Sequence, residues 1–152
     1  MSSTEAMFRT IEKLYAINHV LNAMQKKPHT YCGETIYANE GRTLKMIGQN
    51  HGISQAELSK KMYRTSGASS LIVGNLVERG LVKREREKGN SRRYVLSLTE
   101  KGQAINEAHA AYDEECARRA NEVMGLSEEQ LNELSETLGT FIDYASEAFS
   151  LE

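Results

Sequence analysis

Apolar residues spaced three and four apart dominate this chain. Met7, Ile11, Leu14, Tyr15, Ile17, Val20, Leu21 and Met24 predict a first helix with a broad apolar face. It should stop before Pro28, the only proline, because the residue before proline avoids the helical region. The stretch PHTYCGETIYA (28–38) keeps no period and reads as an irregular connector. Asn39 then caps a helix over about 40–50, with Leu44 and Ile47 inward and Gly52 as its stop. Ser54 and Glu57 have capping-box spacing and open a short helix over about 55–62. Another follows over about 66–79, with Ile72, Val73 and Leu76 inward and Gly80 as its terminator.

The period then changes from helical to alternating. KREREKGNSRRYVLSL (83–98) places Tyr94, Leu96 and Leu98 on one side and Val95 and Ser97 on the other. This predicts two strands, about 81–87 and 92–98, around a Gly89-Asn90 turn. Thr99 caps a long helix over about 100–124, which Gly125 ends. Ser127 and Gln130 form a second capping box, and Leu126 with Leu131 a hydrophobic staple. They open a last helix over about 128–149, striped by Leu131, Leu134, Leu138, Phe141, Ile142, Ala145 and Phe149.

Composition adds bounds. A length of 152 residues predicts one domain. Nothing approaches the roughly 20 apolar residues that span a bilayer. MSSTEAMFRTIEK lacks the apolar core of a signal peptide, so a cytoplasmic protein is expected. Cys32 and Cys116 do not make a disulfide framework. The final Leu151-Glu152 is read as a cloning scar without a role. The net charge of −2 hides an asymmetry: residues 1–98 carry 16 Lys/Arg against 8 Asp/Glu, and residues 99–152 carry 3 against 13. One part of the chain can meet a polyanion while the other repels it.

Two short helices joined by a tight turn and followed by a hairpin with a basic tip read as a winged helix-turn-helix. The second helix of such a pair fits the major groove, and the wing reaches the backbone or the minor groove. Here the sequence resembles a family. ISQAELSKKM (53–62), LIVGNLVERGLVKR (71–84) and NSRRYVLSLTEKG (90–102) are similar to the DNA-binding lobe of MarR-type regulators. LTEKG after a basic wing is the most specific piece.

The resemblance implies a mainly α fold: a winged helix-turn-helix with a two-stranded wing and N- and C-terminal dimerisation helices. In this chain those would be 5–38 (helix and connector), 39–99 (winged lobe) and 100–150 (C-terminal helices). It implies a homodimeric transcription regulator, read as a repressor, on double-stranded DNA. A small-molecule effector cleft would lie between the lobes and the dimer region. The recognition helix would present Thr65, Ser66, Gly67, Ser69 and Ser70. The wing would present Arg84, Arg86, Lys88, Arg92 and Arg93, with further cationic contact from Lys60, Lys61 and Arg64.

This chain departs from the family at several positions. Asn90 stands where an Asp usually pairs the wing arginine, and it offers only neutral hydrogen bonds. Leu71 stands where a basic residue is common and should point outward beside Ser70, in reach of thymine methyl groups. Gly74 and Asn75 replace an acidic and basic pair, and Gly67 and Gly74 each weaken a helix by about 1 kcal/mol. Those changes leave open a dimeric winged-helix module that binds a protein instead of DNA.

Other candidate chemistry is thinner. Tyr15, Tyr31, Tyr37 and Tyr112 are candidates for an aromatic effector cleft. Cys32, beside Tyr31, is the candidate redox thiol, although only His29 offers a nearby cation, so an ordinary partly buried Cys is expected. Cys116 is expected to pack within its helix. His29-x-x-Cys32 is the one close pair of zinc-type ligands; no metal and no cofactor are expected, and a thiol-redox or zinc sensor on the same scaffold is the further alternative. No nucleophile elbow, phosphate-binding glycine loop or clustered metal-ligand motif supports an enzyme.

Overall fold

Helix α1 (Ser3–Gln25) starts a turn before the apolar stripe does. Ser2 explains it: its hydroxyl accepts from the Glu5 amide at 3.2 Å, and the Glu5 carboxylate accepts from the Ser2 amide at 2.8 Å. The computed structural model describes residues 2–149; Leu151 and Glu152 lie outside them.

The connector is not irregular. It forms a hairpin, β1 (His29–Tyr31) and β2 (Glu34–Ile36), with His29 opposite Ile36. Its two-residue turn puts both Cys32 (φ 51°) and Gly33 (φ 80°) in the left-handed region, which is the turn that suits the strand twist. Helix α2 (Ala38–Gln49) is capped by Tyr37 rather than Asn39. The Glu40 carboxylate accepts from the Tyr37 amide at 3.0 Å, while Asn39 turns to Gln25 at 3.2 Å.

The Ser54–Glu57 capping box forms as expected and opens α3 (Gln55–Lys61). Just before it, β3 (Ile53–Ser54) adds a short strand, too short for its alternation to register in the sequence. Helix α4 (Ser66–Glu78) follows, with the Thr65 hydroxyl accepting from Ala68 at 3.2 Å. The wing strands are β4 (Val82–Glu87) and β5 (Asn90–Leu98), so Lys88-Gly89, not Gly89-Asn90, makes the turn. The sheet has three strands in the order β3-β5-β4, all antiparallel. Helices α5 (Glu100–Met124) and α6 (Glu128–Ala148) close the chain, with Ser127 and Gln130 capping α6 reciprocally.

The helices α3 and α4 both end in a left-handed closing residue. After α4 it is Gly80 (φ 71°), with Leu81 N–H donating to Leu76 O at 2.9 Å. After α3 it is Tyr63 (φ 50°), with Arg64 N–H donating to Ser59 O at 3.0 Å. A side chain there costs about 1 kcal/mol that glycine does not incur. Tyr63→Gly should therefore stabilise the chain by about 0.5–1 kcal/mol in urea unfolding. A lower midpoint would mean that the exposed Tyr63 ring contributes packing of its own.

The buried apolar residues run from Ile36 to Ile105 and include Leu44, Ile47, Leu58, Val73, Leu76, Leu81 and Leu96. The core thus lies under the winged lobe. Arg79 fastens its rim, donating to Glu40 and Glu34 at 3.0 Å and to Thr35 O at 2.8 Å. Lys101 reaches Glu34 from α5 at 2.5 Å. One guanidinium so joins the hairpin, α2 and α4. Hydrogen bonds from Lys101 and then Arg79 hold the Glu34 carboxyl below its usual range.

Thr99 makes the LTEKG stretch intelligible. Its amide donates to Leu81 O at 3.1 Å, its hydroxyl donates to Gly80 O at 2.7 Å and accepts from Gly102 N–H at 3.0 Å. Gly102 then lies so close to the Leu81 carbonyl that a Cβ would meet its oxygen at 1.9 Å. The wing's start and the long helix are therefore joined backbone to backbone.

Candidate nucleic-acid interface and effector pocket

On α4 the burial pattern divides two faces. Ser69, Val73 and Leu76 face the core, whereas Ser66, Gly67, Ser70, Leu71, Gly74 and Asn75 are exposed. Ser69 was expected on the DNA-facing side, but it is only 1% exposed and its hydroxyl has no hydrogen-bond partner among the described residues. Its place four residues before Val73 puts it on the inner stripe. Thr65 is exposed, with its hydroxyl engaged as the cap. Arg64 also turns inward, donating to the Thr43 hydroxyl at 2.7 Å and to Asn39 O at 3.3 Å. Burial lowers its pKa from the ordinary arginine value, with Arg42 adding to the effect. Arg64 positions the turn before α4; Lys60 and Lys61 stay exposed.

In the wing the five cations divide into three groups. The guanidinium carbons of Arg84 and Arg86 lie 4.6 and 5.2 Å from the Tyr94 ring centroid. Arg86 also donates to Ser91 O at 2.5 Å. Arg93 is tied back to the body: it donates to both oxygens of Glu57 at 2.9 Å and to Glu87 at 2.9 Å. The Glu57 carboxyl sits below its ordinary range, chiefly through its hydrogen bonds at Ser54, with Arg93 adding to them. Arg93 is thus an anchor between wing and α3, unlike the free contact expected of it. Lys88 and Arg92 remain at the tip, exposed and without an ion pair among the described residues. Asn90 braces the backbone of the tip, not a guanidinium: its Oδ1 accepts from Arg92 N–H at 3.2 Å. The strand register shifts between Arg86 and Glu87, so residues 91–93 lie in an irregular stretch of β5.

The model of the MarR family matches residues 36–94, from the end of β2 into β5. The winged-helix lobe of this chain is thus similar to that of the MarR family. Solved structures repeat the fold over nearly the whole chain. FabT of Streptococcus pneumoniae, solved in complex with DNA, is similar with a TM-score of 0.69 at 24% identity, covering 93% of this chain and 99% of FabT. The transcriptional regulator SlyA gives 0.67 at 17% identity, over 99% of this chain and 98% of SlyA. MepR of S. aureus, solved as a DNA complex, gives 0.62 at 22% identity, over 95% of this chain and 99% of MepR. At such identities these are likenesses of fold. Among curated proteins no sequence match is found.

Among the described residues the four candidate tyrosines do not form one cluster. Tyr31 and Tyr112 do meet, with centroids 6.4 Å apart, and histidines complete the group: His29 is 4.4 Å from Tyr112, and His109 is 5.5 Å from Tyr31. Tyr15 and Tyr37 lie outside that cluster, both exposed. Neither His29 nor His109 was expected there; their apolar spacing gave no signal. Cys32 is exposed at the hairpin turn, and Cys116 is exposed on α5. Partial burial was expected for Cys32 and packing within its helix for Cys116. Among the described residues no three His, Cys, Asp or Glu side chains gather as metal ligands would.

His109 lines a cavity between α2, the end of α3 and α5. The cavity holds about 350 Å³ and is lined by Ala38, Arg42, Lys45, Met46, Gln49, Lys61, Met62, His109 and Asp113. His109 is 6% exposed and packs so tightly on α2 that a Cβ at Gly41 would meet its ring at 2.5 Å. Its Nδ1 lies 3.2 Å from the Tyr31 hydroxyl. Its Nε2 is 3.6 Å from Asp113, too far for a hydrogen bond, and is left without a partner. Burial lowers its pKa from 6.5; Asp113 opposes this, and Lys45 and His29 add to it. The buried ring is therefore neutral, and its contribution to stability is complete above pH 6.5 and lost as pH falls below that value. His109→Gln should flatten the stability profile between about pH 7 and 5. An unchanged slope would assign that pH dependence to another group.

A second cleft lies between α3, the start of α4 and the end of α6. It holds about 670 Å³ and includes Lys60, Tyr63, Ser66, Asp143 and Glu147. The Tyr63 hydroxyl lies 3.5 Å from Asp143. The acidic third of the chain is therefore not wholly separated from the basic one, as its charge pattern had suggested.

Proposed function

We propose that this chain is a homodimeric, sequence-specific DNA-binding repressor whose affinity for its operator is set by a small anionic effector. The wing carries the proposal: Arg84 and Arg86 are held over Tyr94, Arg93 fixes the hairpin to α3, and Lys88 and Arg92 are left free at the tip. Arginines already ordered in this way have less side-chain freedom to lose when they meet phosphate. FabT and MepR, similar in fold, were solved with DNA.

The dimer rests on unpartnered apolar surface. Neither α1 nor α6 holds a buried residue, yet Met7, Phe8, Ile17, Val20, Leu21 and Met24 stand exposed on one and Leu134, Leu138, Ile142 and Phe149 on the other side of the terminal region. A second copy covering these faces by a two-fold axis would bring two lobes to one face of DNA. The operator is then pseudo-palindromic, with half-sites about one helical turn apart. Repression is what a dimer occupying a promoter achieves without further contacts. The anionic character of the effector is read from Arg42 and Lys61 beside an unpartnered His109 nitrogen, with Lys45 already paired to Asp113 at 3.4 Å.

In vitro selection of genomic fragments on the purified chain tests the reading. Enrichment of a palindromic site that survives moderate salt is expected. Binding without sequence preference, or binding lost on modest addition of salt, would instead favour a winged-helix module that takes a protein partner.

A further inference from the structure

The outer face of α4 is unusual for a surface meant to meet a polyanion. Its exposed residues from Ser66 to Asn75 include no charged side chain. At its centre Leu71 is 78% exposed, an apolar side chain with no part in the core. Gly67 and Gly74, four residues before and three after, fall on the same face. At neither would a Cβ meet any atom within 4 Å, and neither has a positive φ. Nothing inside the fold asks for glycine there, and each glycine weakens the helix. The exposed cations lie on other elements instead: Lys60 on α3, which shares a cleft with Thr65 and Ser66, and Arg84, Arg86, Lys88 and Arg92 on the wing. A neutral, partly apolar face with cations on other elements complements a major groove, whose floor is uncharged and whose edges are phosphates.

We infer that Leu71 reads thymine methyl groups, so that the half-site entered by α4 is built on A·T pairs. This rests on the DNA-binding reading above and adds the class of base pair. The usual reader of guanine is a bidentate Arg or Lys, and the exposed face of α4 offers neither. The thymine C5-methyl is the one apolar group that the major-groove edge displays. Bare glycines on both sides of Leu71 let the helix backbone sit low enough for its side chain to reach that edge. Asn75, on the same face, has the amide that pairs with adenine, the other half of the same base pair.

The test uses the full chain and the duplex that it enriches from a random pool. Each thymine is replaced in turn by deoxyuridine, which removes only the methyl group. One or two positions per half-site should each weaken wild-type binding about fourfold, the worth of one buried methyl. Leu71→Ala, a change at an exposed helical position, should bind the thymine duplex more weakly and be indifferent to deoxyuridine at those same positions. Equal loss in wild type and Leu71→Ala, or a wild type indifferent at every thymine, overturns the inference while leaving DNA binding intact. A half-site core enriched in G·C pairs overturns it too. Failure of the pool to enrich any sequence would be the failure of the DNA-binding reading itself.

Discussion

Gly102→Ala should lower the stability of this protein by about 3 kcal/mol or more, although it places a better helix former in a helix. The new Cβ would stand 1.9 Å from the Leu81 carbonyl oxygen. That oxygen belongs to backbone and already accepts the Thr99 amide, so it has no rotamer through which to escape. Either α5 lifts from the wing or the Thr99 bridge breaks. Gly67→Ala is the matched control. It too is helical, but open space surrounds it, so a gain of about 1 kcal/mol is expected. Urea unfolding of the two variants reads the contrast directly. A Gly102→Ala midpoint equal to wild type would show that α5 can shift at no cost, and the account of the LTEKG junction would fail.

The double variant Lys88→Ala/Arg92→Ala should have the largest effect on binding. Both cations are free at the wing tip, and a dimer presents each of them twice. If all four meet phosphate, the slope of log K against log salt becomes shallower by about 3 to 4. At ~0.15 M salt the same counterion arithmetic gives a loss of affinity on the order of 1,000-fold. The loss should be alike on all sequences, because phosphate contacts carry no base information. Arg93→Ala should change the slope far less, since two carboxylates already neutralise that side chain. A full-sized slope change for Arg93 and none for the tip pair would reverse the assignment of anchor and contact.

Much of this molecule can be read from sequence where the cause is local. The Ser54–Glu57 and Ser127–Gln130 boxes, the Thr99 cap and the Gly80 stop act within five residues, and all four form as expected. What stayed hidden was set by partners far along the chain. Arg93 looked like a groove contact because Glu57 lies 36 residues before it. Arg64 looked like another because Thr43 lies 21 residues before it. The hairpin at 29–36 escaped because its turn is Cys-Gly, and cysteine is not a residue that signals a left-handed turn. Ser69 is a different case: the spacing of Val73 and Leu76 already placed it on the inner stripe, and its polarity masked the period. The family pattern at 98–102 was legible as a signature, but its reason, a backbone-to-backbone contact, is visible only in three dimensions.

The anchor at Arg93 has a mechanical consequence. With the hairpin fastened to α3, α3 packed against α4, and α5 joined to the wing's start through Thr99, the reading head has no internal hinge among these elements. It behaves as a single tool on a long handle. In the proposed dimer, the spacing and tilt of two such tools would be the quantities left to vary, and the α2–α5 contact at the buried imidazole would be the place to set them. A molecule wedged beside His109 would act as a spacer on the handle, moving wing and α4 together and taking both out of step with the turn of the double helix.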